Sequence, residues 1–321
     1  MNEEPLRIVV FGYHTIGYRC LKELLDRGEE VCALVTHRDA PHERVWFESV
    51  AELAQTSGVP VLSPKTPNTP ACIDAITALQ PDLILSFYYR RLLGQELLAI
   101  PRLGAINLHG SLLPKYRGRA PVNWVLVNGE THTGATLHYM AAQADAGDII
   151  AQRVVDIAFE DTALTLFDKV SRAAVELFRD TFPLIKAGLA PRTPQDARQA
   201  TYFGGRTPDD GKIDWGRPAV ALYNLVRAVT APYPGAFTYI RGKKLYVWSA
   251  HLSQDGAGGR WPPGTILGAQ NGGCLVATGA GRLLLTQVQQ QGAEVVTGDT
   301  WFRSGGVEVG TRLGEEWTCG C

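Results

Sequence analysis

No apolar stretch of the 321-residue chain approaches the roughly 20 residues that a helix needs to cross a bilayer, so no membrane-spanning helix is expected. The opening Met1-Asn2-Glu3-Glu4-Pro5 is acidic and runs straight into a strand, unlike a secretory signal peptide, and the expected location is the cytoplasm. Neither sign of charge predominates: 31 Lys and Arg stand against 32 Asp and Glu. That balance counts against a nucleic-acid polyanion as the main partner, because phosphate binding draws on a basic excess. The six cysteines lack metal-ligand spacing. Cys20, Cys32 and Cys72 fall inside apolar helix or strand patterns and read as buried thiols. Cys319 and Cys321 form a C-x-C at the extreme end, one pair short of a four-ligand zinc site, in a tail expected to fray. His132 and His138 are six apart, which suits neither a helix face nor a zinc motif, and no metal is expected. Gly12-Tyr13-His14-Thr15-Ile16-Gly17 is not G-x-G-x-x-G and lacks the Lys-Ser/Thr of a P-loop, which leaves a dinucleotide or ATP site unsupported.

What the chain does have is an alternation of strand and helix signals from its start, which predicts a mainly parallel, Rossmann-like sheet covered on both faces. Leu6 to Phe11 reads as a strand, Ile16 to Arg27 as a helix stopped by Gly28, and Val31 to Thr36 as a second strand. A helix over Phe47 to Gln55, a strand at Val59 to Leu62, a helix opening near Thr69-Pro70 and a strand at Leu83 to Phe87 continue the rhythm. Pro70 suits a first helical turn, where its missing N–H has no partner to lose. Gly104 to Leu108 is a strand, Val122 to Asn128 a helix closed by Gly129, and Thr133 to Tyr139 and Ile149 to Ile157 two more strands. Thr165 to Ala187 carries a broad apolar stripe suited to a core-facing helix. Residues 1–189 therefore form an expected catalytic domain, and 190–206, rich in Pro, Gly and polar residues, an expected linker. In 207–321 a helix at Ala219 to Val229 precedes short glycine-punctuated strands at Gly235 to Arg241, Lys244 to Ser249, Gly264 to Leu267, Cys274 to Thr278 and Arg282 to Val288. That spacing suggests a small barrel.

The chemistry-bearing passage is Asn107-Leu108-His109-Gly110-Ser111-Leu112-Leu113-Pro114, followed by Asp145 in Ala144-Asp145-Ala146-Gly147-Asp148. Asn107 and His109 are two apart at a strand end, so both side chains leave on one side. Gly110 then lets the backbone turn where a Cβ would clash. In open α/β sheets ligands sit at the carboxyl ends of the strands, which is where Gly12, Ser86-Phe87 and Asn107-His109 fall. An amide donor, an imidazole and a carboxylate are the means to polarise a carbonyl and move a proton at neutral pH, which points to acyl transfer. Read alone, Asn107 is also a common turn former, His109 a satisfied core histidine and Asp145 a residue that bonds its own backbone in a turn.

The whole run Asn107-Leu108-His109-Gly110-Ser111-Leu112-Leu113-Pro114 with Arg117-Gly118-Arg119-Ala120-Pro121, then Ala144-Asp145-Ala146-Gly147-Asp148-Ile149-Ile150, resembles the folate-dependent formyltransferases. Ser86-Phe87-Tyr88-Tyr89-Arg90, the unbroken stretch from Lys115 to Thr131 and Arg206-Thr207-Pro208-Asp209-Asp210 are similar to one branch of that family. That branch is the UDP-4-amino-4-deoxy-L-arabinose formyltransferase domains of bifunctional polymyxin-resistance proteins, which act in lipid A modification. The resemblance runs from about residue 6 to about residue 250. It implies a formyltransferase fold with a C-terminal OB-like barrel, and transfer of the formyl group of 10-formyltetrahydrofolate to the amine of a nucleotide-linked amino sugar. Asn107 and protonated His109 would then donate to the formyl oxygen. Asp145 would favour the imidazolium or accept the proton that the amine sheds. By positional match, Arg91, Leu92 and Leu93 would line the folate cleft, Arg119 would contact the cofactor, and Ala141, Ala142, Gln143, Ala144 and Asp145 would hold the pterin by backbone groups. Arg90, Arg91, Arg117 and Arg119 would have an acidic glutamyl tail or a diphosphate to meet, where otherwise they are solvated charges. The dehydrogenase domain of the bifunctional proteins is not in this sequence, so any oxidative decarboxylation would need a separate chain.

Three other readings remain open at this stage. Methionyl-tRNA formyltransferases share the chemistry, but usually show a small residue where this chain has Arg119. Residues 207–321 carry only ten Lys/Arg against nine Asp/Glu, little basic excess for gripping a polynucleotide. A dTDP-amino-sugar N-formyltransferase is the nearest enzymatic alternative. A non-enzymatic nucleotide-sugar sensor would have no use for Asn107, His109 and Asp145 together. Tyr88, Trp124 and Tyr233 are candidates to stack on a base, with core packing as their ordinary use. The acceptor sugar, its nucleotide and the oligomeric state, a homo-oligomer included, are not legible.

Overall fold

The computed structural model describes residues 5–39, 45–253 and 261–314; the C-x-C of Cys319 and Cys321 lies outside the described residues. The chain divides into two compact units. Unit 1 comprises Met1–Pro121, His132–Asp156 and Phe167–Gly204, and unit 2 comprises Val122–Thr131, Ile157–Leu166 and Gly205–Cys321. Among the described residues no helix is long and apolar enough to cross a membrane.

Along the chain, unit 1 runs β1 (Arg7–Gly12), α1 (His14–Asp26), β2 (Glu30–Val35), α2 (Val50–Thr56), β3 (Val61–Leu62), α3 (Pro70–Ala78), β4 (Leu83–Phe87), α4 (Gln95–Leu98), β5 (Ala105–His109) and β6 (Arg117–Gly118). Helix α5 (Pro121–Val127) follows, then β7 (His132–Tyr139), β8 (Ile149–Asp156), α6 (Ala163–Lys186) and β9 (Tyr202–Phe203). Seven strands form one sheet in the order β3-β2-β1-β4-β5-β7-β8. Strands β1 to β5 pair in parallel, as the alternating pattern predicts, whereas β7 and β8 are antiparallel to their neighbours. Chain order therefore reverses beside β1, between β2 and β4, and the site-bearing β5 lies inside the sheet between β4 and β7.

The local chemistry explains the boundaries. β1 is a run of apolar residues because both faces are covered: Ile8, Val9, Val10 and Phe11 are fully buried. Helix α3 opens as expected, with the Thr69 side chain accepting from the Cys72 N–H and Pro70 in the first turn. Helix α2 begins at Val50 rather than at Phe47, since the Ser49 hydroxyl accepts from the Glu52 N–H and so caps the helix there. On one face of the sheet Val9, Phe11, Val35, Ile84 and Ala105 pack with Cys72 and Ile76 of α3 and Leu97 of α4. Elsewhere in the core of unit 1, Phe87 meets Phe178 of α6 edge-on at 5.1 Å, and Phe178 meets Phe182 at 5.3 Å.

Residues 190–206, expected as a linker, are not one. Thr193 and Ile149 exchange backbone hydrogen bonds of 2.8 and 3.0 Å, and β9 pairs in parallel with β6. Composition signalled a loop, but backbone pairing with unit 1 supplies order that Pro and Gly content does not reveal. Segments 122–131 and 157–166, placed by sequence within 1–189, instead cluster with unit 2. There Asn123 Nδ2 donates to the Ala228 carbonyl at 2.8 Å, Arg227 Nη1 donates to the Ala158 and Asp161 carbonyls at 3.2 Å, and Phe159 stacks on Tyr223 at 4.6 Å.

The rest of unit 2 is α7 (Ala219–Val229), matching the expected helix residue for residue, followed by β10 (Ala236–Ile240), β11 (Lys243–Leu252), β12 (Ile266–Gln270), β13 (Gly273–Ala277), β14 (Arg282–Gln290), β15 (Val295–Thr297) and α8 (Gly298–Ser304). The strands form an antiparallel sheet in the order β10-β11-β14-β13-β12, with β15 added on β14, in keeping with a barrel-like domain. The sequence pattern did not anticipate β15 or α8.

Phe178 is fully buried between two other aromatic rings, so removing its ring leaves a cavity that the sheet cannot close. Phe178→Ala is predicted to cost about 3–5 kcal/mol of unfolding free energy. A urea titration that returned the wild-type midpoint would show that this ring is not a core anchor.

Candidate active site

Asn107 and His109 occupy alternate positions of β5, and the antiparallel partner β7 sets Asn107 opposite His138 and His109 opposite Thr136. The loop from 140 to 148 between β7 and β8 then carries Asp145 back, with φ +54°, to the end of β5. Four polar side chains therefore meet. Asp145 Oδ1 lies 3.4 Å from Asn107 Nδ2, 3.5 Å from His138 Nε2 and 3.6 Å from His109 Nδ1. Its other oxygen, Oδ2, accepts the short bond of the group, 2.8 Å from the Gly118 N–H. His109 is 7% exposed and His138 1%, while Asp145 keeps 13% of its side chain open.

The backbone decides which nitrogens carry protons. His109 Nε2 is 2.8 Å from the Tyr116 carbonyl, and a carbonyl only accepts, so Nε2 carries a proton and Nδ1 is the nitrogen turned to Asp145. By the same reasoning His138 donates from Nδ1 to the Tyr139 carbonyl at 2.8 Å, which leaves Nε2 to accept from Asn107 Nδ2 at 3.1 Å. The Tyr116 carbonyl is held in turn. Ser111 Oγ donates to the Lys115 carbonyl at 2.8 Å, Thr136 Oγ1 to the Ser111 carbonyl at 2.7 Å, and Gln152 Nε2 to the Leu113 carbonyl at 2.9 Å. The Ser-Leu-Leu-Pro run is thus the backing of the imidazole.

Burial by itself raises the Asp145 carboxyl pKa, but the facing His109 ring and the Gly118 N–H outweigh it and hold the carboxyl well below the usual carboxylate range. Asp145 is therefore an anion at neutral pH. The 3.6 Å gap to His109 Nδ1 is too long for a hydrogen bond and leaves the two groups facing each other unbonded.

Two glycines make the approach geometry. A Cβ on Gly110 would lie 2.3 Å from Tyr88 Oη, so the expected clash is with a side chain of the neighbouring strand end, not with the turn itself. Gly118 has φ +98°, and a Cβ there would lie 2.3 Å from the Phe203 carbonyl, so the N–H that holds Asp145 belongs to a position where only glycine fits.

The structure brings Asn107, His109 and Asp145 together as the spacing suggested. The other site candidates are more dispersed in character. Leu93 is 6% exposed and packs into the core with Ile84 and Leu97, so it would shape a cleft only from behind. Leu92 is 66% exposed, and its carbonyl accepts from Asn68 Nδ2. Arg91, Arg119, Ala141, Ala142 and Gln143 are exposed, and Ala144 is half-buried. Arg117, grouped by sequence with the solvated cations, is instead 4% exposed. Trp124 carries the Arg206 guanidinium 4.5 Å over its ring, and burial pushes the Tyr233 hydroxyl up to about 12. Sequence reasoning passed over His138, which it weighed only as a metal ligand. The usable signal was strand alternation opposite Asn107. Among the described residues no group of three or more His, Cys, Asp or Glu is placed to hold a metal ion.

Two family descriptions match the chain: "Formyl transferase" over residues 6–181 and "Formyl transferase, C-terminal domain" over residues 206–306. Solved structures share the fold. A substituted variant of HypX from Aquifex aeolicus superposes with a TM-score of 0.63 at 19% identity over 95% of this chain, which spans about half, 49%, of that one. The N-formyltransferase from Helicobacter canadensis, in complex with folinic acid and dTDP-3-aminofucose, gives 0.66 at 18% identity over 87% of this chain and 98% of that one. WlaRD, a sugar 3N-formyl transferase solved in the presence of dTDP and 5-N-formyl-THF, gives 0.68 at 16% identity over 91% and 100%.

Because the Asp145 pKa is depressed in the folded chain, its contribution to stability is present above the unfolded carboxyl value of about 3.9 and is lost as pH falls below it. Asp145→Asn is predicted to flatten the dependence of unfolding free energy on pH below about pH 4. Denaturant titrations between about pH 2 and pH 4 with the same slope for both proteins would contradict the ionised, paired carboxylate.

Proposed function

The chain belongs to the formyl transferase family, and on that footing we propose that it moves the formyl group of 10-formyltetrahydrofolate to the primary amine of a nucleotide-linked amino sugar, UDP-4-amino-4-deoxy-L-arabinose being the acceptor that its sequence favours. The observation that carries this reading is the convergence of Asn107, His109 and Asp145 at the end of β5, with His109 Nε2 committed to the Tyr116 carbonyl and Nδ1 left facing the carboxylate. That donor set fits a formyl group, which offers one carbonyl oxygen to polarise and one carbon to attack.

The geometry supports the following roles. The neutral amine attacks the formyl carbon, a C–N bond forms, and charge grows on the formyl oxygen. Asn107 Nδ2 and the protonated Nδ1 of His109 donate to that oxygen. The 3.4 Å contact of Asn107 with Asp145 is weaker than its 3.1 Å contact with His138, and is the one that the formyl oxygen would displace. Asp145, an anion at neutral pH, faces the imidazole and places negative charge beside the reacting groups. A carboxyl with so depressed a pKa is a poor final proton acceptor, so the ion's electrostatic role outweighs a role as general base. The amine sheds one proton to solvent at Asp145, and the departing folate nitrogen takes one up as its C–N bond breaks, leaving the formamide and tetrahydrofolate.

Arg119, Arg91 and the loop from Ala141 to Asp145 are proposed to meet the folate, whose glutamyl tail is anionic. The dTDP-3-aminofucose and dTDP in the similar structures support a nucleotide-sugar acceptor and favour dTDP-amino sugars as the second reading. The free thiols of Cys20, Cys32, Cys72 and Cys274 accord with action in the cytoplasm.

Incubation with 10-formyltetrahydrofolate and a panel of UDP- and dTDP-amino sugars, read by mass spectrometry, is expected to add one formyl group to a single acceptor. Asn107→Ala, His109→Ala and Asp145→Ala should each lower turnover by about 10²–10³. Near-full turnover in any of them would remove that residue from the reacting centre. Nanomolar, salt-sensitive tRNA binding with no sugar product would replace the acceptor class.

A further inference from the structure

We propose that Gln195, backed by Arg117, is a positioning residue that fixes the Asp145 loop for formyl transfer, an inference that rests on the reading above.

The loop from 140 to 148 needs such a device. Ala141, Ala142 and Gln143 are exposed, and Asp145 itself adopts a left-handed backbone, which aspartate tolerates better than most non-glycine residues but which still carries a cost. Gln195 supplies the hold. Its amide nitrogen, Nε2, has two hydrogens and two acceptors, the carbonyl of Asp145 at 2.8 Å and that of Gly147 at 2.6 Å. These two carbonyls bracket the residue after the carboxylate, so one side chain sets the course of the loop on both sides of that point.

The orientation of the amide is fixed from its other end. Gln195 Oε1 accepts from Arg117 Nε at 3.1 Å and from Nη2 at 2.6 Å. Turning the amide over would put its N–H groups against the guanidinium and its oxygen against two carbonyls, so only one orientation is satisfied. Arg117 has a second tie: its Nη1 donates to Tyr202 Oη at 3.0 Å, and that hydroxyl reaches the Ala144 carbonyl at 3.4 Å. A 4%-exposed guanidinium facing a glutamine and a tyrosine is therefore a fixed part of the structure, unlike a cation waiting for a surface partner. The residue after Arg117 is Gly118, whose N–H holds Asp145 Oδ2. Strand β6 thus grips the carboxylate through its backbone and the loop carbonyls through Arg117 and Gln195.

Gln195→Glu separates positioning from packing. The carboxylate keeps the length of the side chain and gains a charge pair with Arg117, but has no N–H to give the Asp145 and Gly147 carbonyls. Gln195→Met, of similar length, removes both functions. With the acceptor that the wild-type protein formylates, kcat and the KM for the amine are measured separately, alongside the melting temperature. Gln195→Glu and Gln195→Met are each expected to lower kcat by about 10- to 100-fold, the scale of an ångström-level misplacement. KM should stay within about twofold and the melting temperature within a few degrees. Wild-type kcat in both variants overturns the proposal, and so does a kcat loss matched in both by loss of the folded fraction. Asp145→Asn, run in parallel, tells the two readings apart. If it abolishes turnover while the Gln195 variants remain active, the clamp alone falls. If it retains full turnover, Asp145 leaves the reacting centre and the clamp falls with that role, while formyl transfer stands; if the wild type transfers no formyl group, the formyl-transfer reading falls and takes the clamp with it.

Discussion

A single carboxylate enclosed by nitrogen is the constraint on which the site of this protein depends. Asp145 keeps only 13% of its side chain exposed yet remains ionised. A buried, unpaired charge of that kind costs on the order of several kcal/mol. The compensation comes from the Gly118 N–H of β6, the Asn107 amide of β5 and the His109 ring that faces the carboxylate from the same strand. The register of β5 with β7, the pairing of β6 with β9 and the course of the loop after β7 all become requirements of the same ion.

The same arrangement gives the two histidines different settings. His109 and His138 each donate to a backbone carbonyl, so each ring is locked and presents one defined nitrogen to Asp145. His138 accepts from the Asn107 amide and turns its NH₂ toward the carboxylate. His109 presents Nδ1 across an open gap. One imidazole orients an amide, and the other is left with an unfilled bond direction toward the carboxylate.

Much of the fold was readable because it rests on short-range patterns. The apolar run of β1, the Thr69-Pro70 start of α3 and the full extent of α7 are set by periodicity and caps, which act within a few residues. The antiparallel β7 and β8 were not, because strand direction is decided by how a connection returns to the sheet and not by the strand's own residues. Residues 190–206 misled for a related reason: Pro and Gly content describes a segment's intrinsic preferences, whereas β9 and Gln195 are ordered by partners some 50 to 85 positions away in sequence.

By itself the sequence determined that Asn107 and His109 leave one strand end on the same side, that a glycine must follow, and that an aspartate lies in a loop downstream. These are consequences of two-residue alternation and of glycine's missing Cβ. Only the tertiary structure decided that His138 joins them, that Arg117 is buried, and that Gln195 and Gly118 hold the aspartate in place. Hydrogen bonds between residues far apart in the chain leave no periodic trace in it, and a side chain's role as donor, acceptor or clamp is settled by the groups that face it after folding.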